Sequence, residues 1–174
     1  MTALDILAWQ FKRGDEKLQE RIYRLYIASA RWINNWDLVD GSAPHILGAW
    51  LENRDRGVLD KLAKSKNLWE RRMAIIATLF FIRKNDFGDT LRIADTLLLS
   101  KEDLLHKAVG WMLREVGKRD RKVEESFLLL HCRSMPRTML RYAIEHFPER
   151  ERKAYLLGIP KGTPLQRGYA IKSK

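Results

Sequence analysis

One stretch limits the possible folds of this chain more than any other. Leu104, Leu105, Ala108, Val109, Met112, Leu113 and Val116 recur at i, i+1, i+4, i+5, i+8, i+9 and i+12, so all fall on one side of a helix over 101–118. Such a stripe is stable only when another apolar surface covers it. Ile75, Ile76, Leu79, Phe80 and Ile82 repeat the pattern within 67–84. Strand signals are missing: there is no sustained period-two alternation, and no Asn-Gly or Asp-Gly pair to turn a hairpin. The fold class is all-α.

The same periodicity predicts helices over 15–31, 43–52, 55–64, 67–84, 87–98, 101–118, 121–131, 135–147 and 149–157. Punctuation supports these bounds. Ser42 reads as the cap of a helix whose first turn holds Pro44. Ser100 reads as a cap with Asp103 three residues on, and Ser134 precedes Met135-Pro136. The stretch Asn85 to Gly88 separates two apolar helices. Many short amphipathic helices in antiparallel succession predict an α-solenoid, in which each pair buries its face on the next. Tryptophans recur at 36, 69 and 111, and the spacings of 33 and 42 lie near the length of a HEAT or armadillo repeat. The helical domain is expected over 1–157. A basic, flexible tail is expected over 158–174, because the composition shifts to Gly, Pro, Lys and Arg after Gly158.

Charge narrows the partners. Lys and Arg number 33 against 22 Asp and Glu, a formal net charge of +11 in 174 residues. An excess of that size calls for a polyanion, nucleic acid first and an anionic membrane surface second. No apolar run approaches the roughly 20 residues of a membrane span, and residues 1–7 are too short, with Asp5 among them, for a secretory signal. The expectation is a cytoplasmic protein, or a nuclear one in a eukaryote. Cys132 is the only cysteine and the four histidines have no metal-ligand spacing, so neither a metal nor a cofactor is expected. His131-Cys132 is not a nucleophile pair, since neighbours on a helix point about 100° apart.

Three clusters can carry chemistry. Opposite its apolar stripe, the 101–118 helix carries Lys107, Trp111, Arg114 and Lys118. Cations flanking a flat ring suit phosphates and a sugar or base; a ring packed under a neighbouring helix is the other reading. In the second cluster, Trp36 and Asp40 share a face at i, i+4 if their segment is helical. An acid beside an indole in so basic a chain fits a cationic substrate or an oxocarbenium-like transition state, unless it merely caps a helix. In the third, Arg71 and Arg72 stand in the first turn of an apolar helix, against its dipole, and call for a carboxylate or a phosphate. Arg137, Arg141 and Glu145 form an i, i+4, i+8 stripe, read as an internal salt-bridged face or a DNA contact.

Four segments, in order, then resemble the DNA alkylation repair family of AlkD-type glycosylases: Ile33-Asn34-Asn35-Trp36-Asp37-Leu38-Val39-Asp40, Trp69-Glu70-Arg71-Arg72-Met73-Ala74, Lys107 through Glu115, and Met135 through Tyr142. The resemblance covers roughly residues 20–157. It implies HEAT-like repeats curved around duplex DNA and hydrolytic excision of cationic N3- or N7-alkylated purines without a metal. Asp40 is then the catalytic carboxylate, with Trp36 and Trp111 lining the cleft. Arg72 holds a phosphate near the lesion, and Arg114, with Lys107 and Arg71, supports DNA binding. The target nucleotide stays stacked, so no deep base pocket is expected. Family members usually carry further helices before the matched segment, so a shortened member or a fragment is expected here. The partner is duplex DNA containing alkylated purines, with no membrane and no obligate protein partner. A shortened nucleic-acid-binding module without catalysis is the alternative, and a scaffold for an acidic protein is a third reading.

Overall fold

The computed structural model describes residues 2–160, and the regular structure among them is helical, with no strand. The first helix, α1 (Ala3–Arg13), was not among those expected from periodicity. Its start is fixed by a capping box: the Asp5 amide donates to the Thr2 hydroxyl while the Asp5 carboxylate accepts from the Thr2 amide. Asp15 caps α2 (Glu16–Ala28), accepting from the Leu18 amide at 2.9 Å. Then follow α3 (Trp36–Ser42), α4 (Gly57–Ala63), α5 (Leu68–Ala77), the short α6 (Leu79–Ile82) and α7 (Gly88–Leu97). The chain finishes with α8 (Asp103–Arg119), α9 (Arg121–His131), α10 (Arg137–Ala143) and α11 (Glu149–Leu156).

These helices stack as an α-solenoid of antiparallel pairs. Helices α1, α3, α5, α8 and α10 neighbour one another in chain order and form one layer, with α4, α7, α9 and α11 packed on them. The stripe read from α8 is the inside of the stack: Leu105, Ala108, Val109, Met112, Leu113 and Val116 have no measurable exposure. Burying side chains of this size contributes about 1.5–3 kcal/mol each. The register between successive repeats is written in ion pairs. Asp40–Arg72, Glu52–Lys84, Asp60–Arg92, Arg71–Glu102, Arg114–Glu145 and Arg121–Glu151 each join residues 30–32 apart. Two glycines separated by two such steps make the tightest helix crossings. A Cβ on Gly48 would run into the Ala77 carbonyl and Phe80, and one on Gly110 into the Met139 carbonyl and Tyr142. The unit is therefore about 31 residues, and the 42-residue gap from Trp69 to Trp111 is not a repeat length.

Several expected bounds change. Ser42 is not a cap: it is buried in the last turn of α3, where its hydroxyl bonds to Tyr26 at 2.8 Å and to the Leu38 carbonyl. The helix runs past it because Pro44, lacking an amide donor, is accommodated by a wider π turn over Pro44–Gly48, closed by the Gly48 amide on the Ala43 carbonyl. Ser100 does not cap α8 either. Glu102 occupies that position without a side-chain bond, and the Ser100 carbonyl meets His106 Nε2 instead. The break after α6 is as expected, with Asn85 at a positive φ of 61°. The Arg137–Arg141–Glu145 stripe is not an internal ion-paired face, since Glu145 pairs with Arg114 of α8 and Arg137 donates to the Leu156 carbonyl. Residues 158–160 belong to the folded part: the Ile159 amide closes on the Ala154 carbonyl, and Gly158 accepts from Arg133. The rest of the expected tail lies outside the described residues.

Candidate functional site

Asn35 ends the preceding turn and accepts from the Trp36 amide, so α3 begins with Trp36 and places Asp40 one turn along the same face. The Trp36 ring stands 54% exposed, whereas Asp40 is half-buried. From α5, Arg72 reaches this carboxylate with both arms of its fork, Nε to Oδ1 at 2.9 Å and Nη2 to Oδ2 at 2.7 Å. Its Nη1 donates to the Leu104 carbonyl at the start of α8. One guanidinium thus ties three consecutive helices of the site layer together.

Burial gives this pair its weight. The side chains of Arg72 and Asp40 are only 6% and 15% exposed. A bidentate, charge-assisted pair in such surroundings is both strong and directional. Beneath it, burial drives the Tyr26 hydroxyl pKa far up, the bond to Ser42 opposes this, and the nearby Asp40 charge adds to the rise. Tyr26 is accordingly a neutral hydrogen-bonding strut linking α2 to the last turn of α3.

The other wall comes from α8. Lys107 and Trp111 follow Leu104 at three and seven residues, on the same face. Trp111 settles both readings of its ring: it packs against the core and remains partly open, with the indole N–H donating to Glu115 Oε1 at 3.1 Å. Lys107 pairs with Asp103 at 2.7 Å, and that bond raises the lysine pKa above its ordinary value and lowers that of Asp103. Arg71 pairs with Glu102 at 2.5 Å, and Arg114 with Glu145. All four cations assigned to DNA from the sequence therefore have carboxylate partners within the protein. Arg72 in particular is not open to a phosphate, because its fork is committed to Asp40 and it is 5% exposed. Lys107, at 41% side-chain exposure, is the most accessible of the four.

His131 stacks on Phe127 with ring centroids 4.4 Å apart, while Cys132 is buried. Burial pushes the Cys132 thiol pKa up, the reverse of what a nucleophile needs.

Fold and site together define a class: a helical-repeat protein with a carboxylate clamped by arginine, an exposed tryptophan on the same helix face and a partly open one on α8. Residues 1–147 match the family model described as DNA alkylation repair enzyme, and the chain belongs to that family. The match begins at residue 1 and so takes in α1. No curated protein matches the chain. Membership makes this an enzyme of DNA alkylation repair, with DNA as its substrate.

The sequence reading missed the union of Asp40 with Arg72 and Leu104. The signal for it was their common spacing of 32 residues, one repeat per step, which outranks the tryptophan spacing as a guide to the stack.

Proposed function

We propose that the chain is a monofunctional DNA glycosylase that hydrolyses the N-glycosidic bond of cationic N3- or N7-alkylated purines in duplex DNA. The observation that carries the proposal is Asp40, a carboxylate held beside an exposed indole by a buried arginine fork. An alkylated purine already bears positive charge, so it leaves as a neutral base and takes the bonding electron pair with it. The sugar is left as an oxocarbenium ion, and a fixed carboxylate in a partly desolvated cleft lowers the energy of that charge. A carboxylate offers about four acceptor positions. The Arg72 fork uses two of them, leaving others to orient a water whose oxygen bonds to C1′ and whose proton Asp40 accepts. Trp36 and Trp111 present flat apolar surface to the deoxyribose.

The same pairing favours a second reading. An acid already neutralised by arginine is also what a purely structural bridge looks like, as in a repeat protein that grips DNA and cleaves nothing. Asp40→Asn separates the two readings. For the enzyme, release of 7-methylguanine from methylated duplex falls at least about 100-fold while duplex binding is nearly unchanged. Base release equal to that of the unaltered protein overturns the role given to Asp40, and no release by either protein leaves the binding module.

A further inference from the structure

A second region holds cations of another kind. Between α1, the stretch from the π turn to Arg54, and the end of α6 lies an open groove of about 890 Å3. Among the residues lining it, Lys12, Arg13 and Arg83 are exposed and have no carboxylate partner among the described residues. Arg13 lies 4.3 Å above the ring of Trp9, which is itself 55% exposed. Lys84 and Arg54 also border the groove, but they are engaged by Glu52 and Glu16. Glu52 is the only carboxylate lining it, and Lys84 occupies it.

His45, which also lines the groove, has its pKa lowered first by burial and then by Arg83 and Lys12, so both of those charges reach it. Like charges gathered without a counter-charge repel, and elsewhere in this fold pairing across a repeat removes that cost. Here nothing within the described residues does. Arg83 follows Arg72 by eleven residues, beyond the interruption at Thr78 that separates α5 from α6.

We infer that this groove is a phosphate-binding site, with Lys12, Arg13 and Arg83 holding the phosphodiester backbone of the duplex whose lesion lies at Asp40. Trp9 under Arg13 gives an amphipathic lip against which a sugar can rest. The inference rests on the nucleic-acid reading of the Asp40 site and adds to it a separate anchoring point.

The test is duplex binding across a salt series by the full chain. Lys12→Ala/Arg83→Ala is compared with Lys61→Ala/Lys122→Ala, which removes the same charge from exposed lysines on α4 and α9. The groove variant is expected to bind roughly tenfold more weakly, with a slope of log K against log salt shallower by about 2, at about 0.9 per phosphate lost. The control pair changes both quantities much less. Equal losses in the two pairs overturn the site, as does an equal loss of affinity for poly-glutamate, which carries charge without phosphate. If the unaltered protein fails to bind duplex at about 50 mM salt, this inference and the nucleic-acid reading fall together. Base release unchanged by Asp40→Asn, with the groove variant weakened as expected, overturns only the reading of Asp40.

Discussion

Around Asp40 every cation is spoken for: Arg72 by Asp40 itself, Arg71 by Glu102, Lys107 by Asp103 and Arg114 by Glu145. In the groove beside α1, Lys12, Arg13 and Arg83 have no such partner among the described residues. The two regions share a layer of helices and a sign of charge, yet their arginines are not equivalent. Pairing decides whether a cation serves the fold and its carboxylate or stays available to an outside anion. Under the proposed function it also accounts for an acid on the surface assigned to DNA: Arg72 offsets its repulsion of phosphates while leaving part of the carboxylate open.

The largest contrast should be in stability. Arg72→Ala strands a half-buried carboxylate and the Leu104 carbonyl, and is expected to cost about 3–5 kcal/mol. For a chain of this size that lowers Tm by roughly 6–15 °C. A drop under about 2 °C would dissolve the distinction between the two regions. Glu124 sharpens the rule by showing what happens without a partner. It is 2% exposed, packs where only Gly117 leaves room, and its Oε1 has no bond. Burial raises its pKa to about 8, tempered by Arg121 and Arg114, so it is protonated at neutral pH. The folded state then holds a proton that the unfolded chain releases near the ordinary value of 4.5. Stability therefore falls as pH rises from there through about 8, and levels off above. Glu124→Gln should flatten this decline, matching the unaltered protein near pH 5 and exceeding it by on the order of a few kcal/mol near pH 9. Parallel Tm–pH curves for the two proteins would remove Glu124 as the cause. Smallest of all is the stability effect of Arg83→Ala, within about 0.5 kcal/mol because the residue is exposed and unpaired. A larger loss in thermal melts would mean that Arg83 is structural after all.

Much of this was legible in the sequence, and what was not has identifiable causes. The α8 stripe could be read because every residue on it but Leu104, at its edge, is buried, so periodicity and packing coincide. Helix α1 escaped notice because Phe11 is its one buried residue, and the helix depends on the Thr2–Asp5 box. The shared face of Trp36 and Asp40 follows from local spacing alone. That Arg72 faces Asp40 and not a phosphate depends on how repeats stack, which a window of one helix does not contain. Ser42 was misread for a similar reason: a hydroxyl before proline looks like a helix start until tertiary packing gives it Tyr26 as a partner. The groove stayed hidden because its residues lie up to 76 positions apart, from Ala8 to Lys84, on segments that are unremarkable singly.

The π turn over Pro44–Gly48 has one more consequence. It lies between Asp40 and the Ala49–Arg54 edge of the groove, and a wide turn holds one residue more than the α-helical count. It therefore sets the angular phase between two stations on a single rod. Because the turn takes up that extra residue, the helix beyond it keeps its phase, whereas the same insertion in a plain α-helical turn would rotate everything downstream by about 100° relative to Asp40, leaving both stations intact but out of alignment, like two gears keyed wrongly on one shaft.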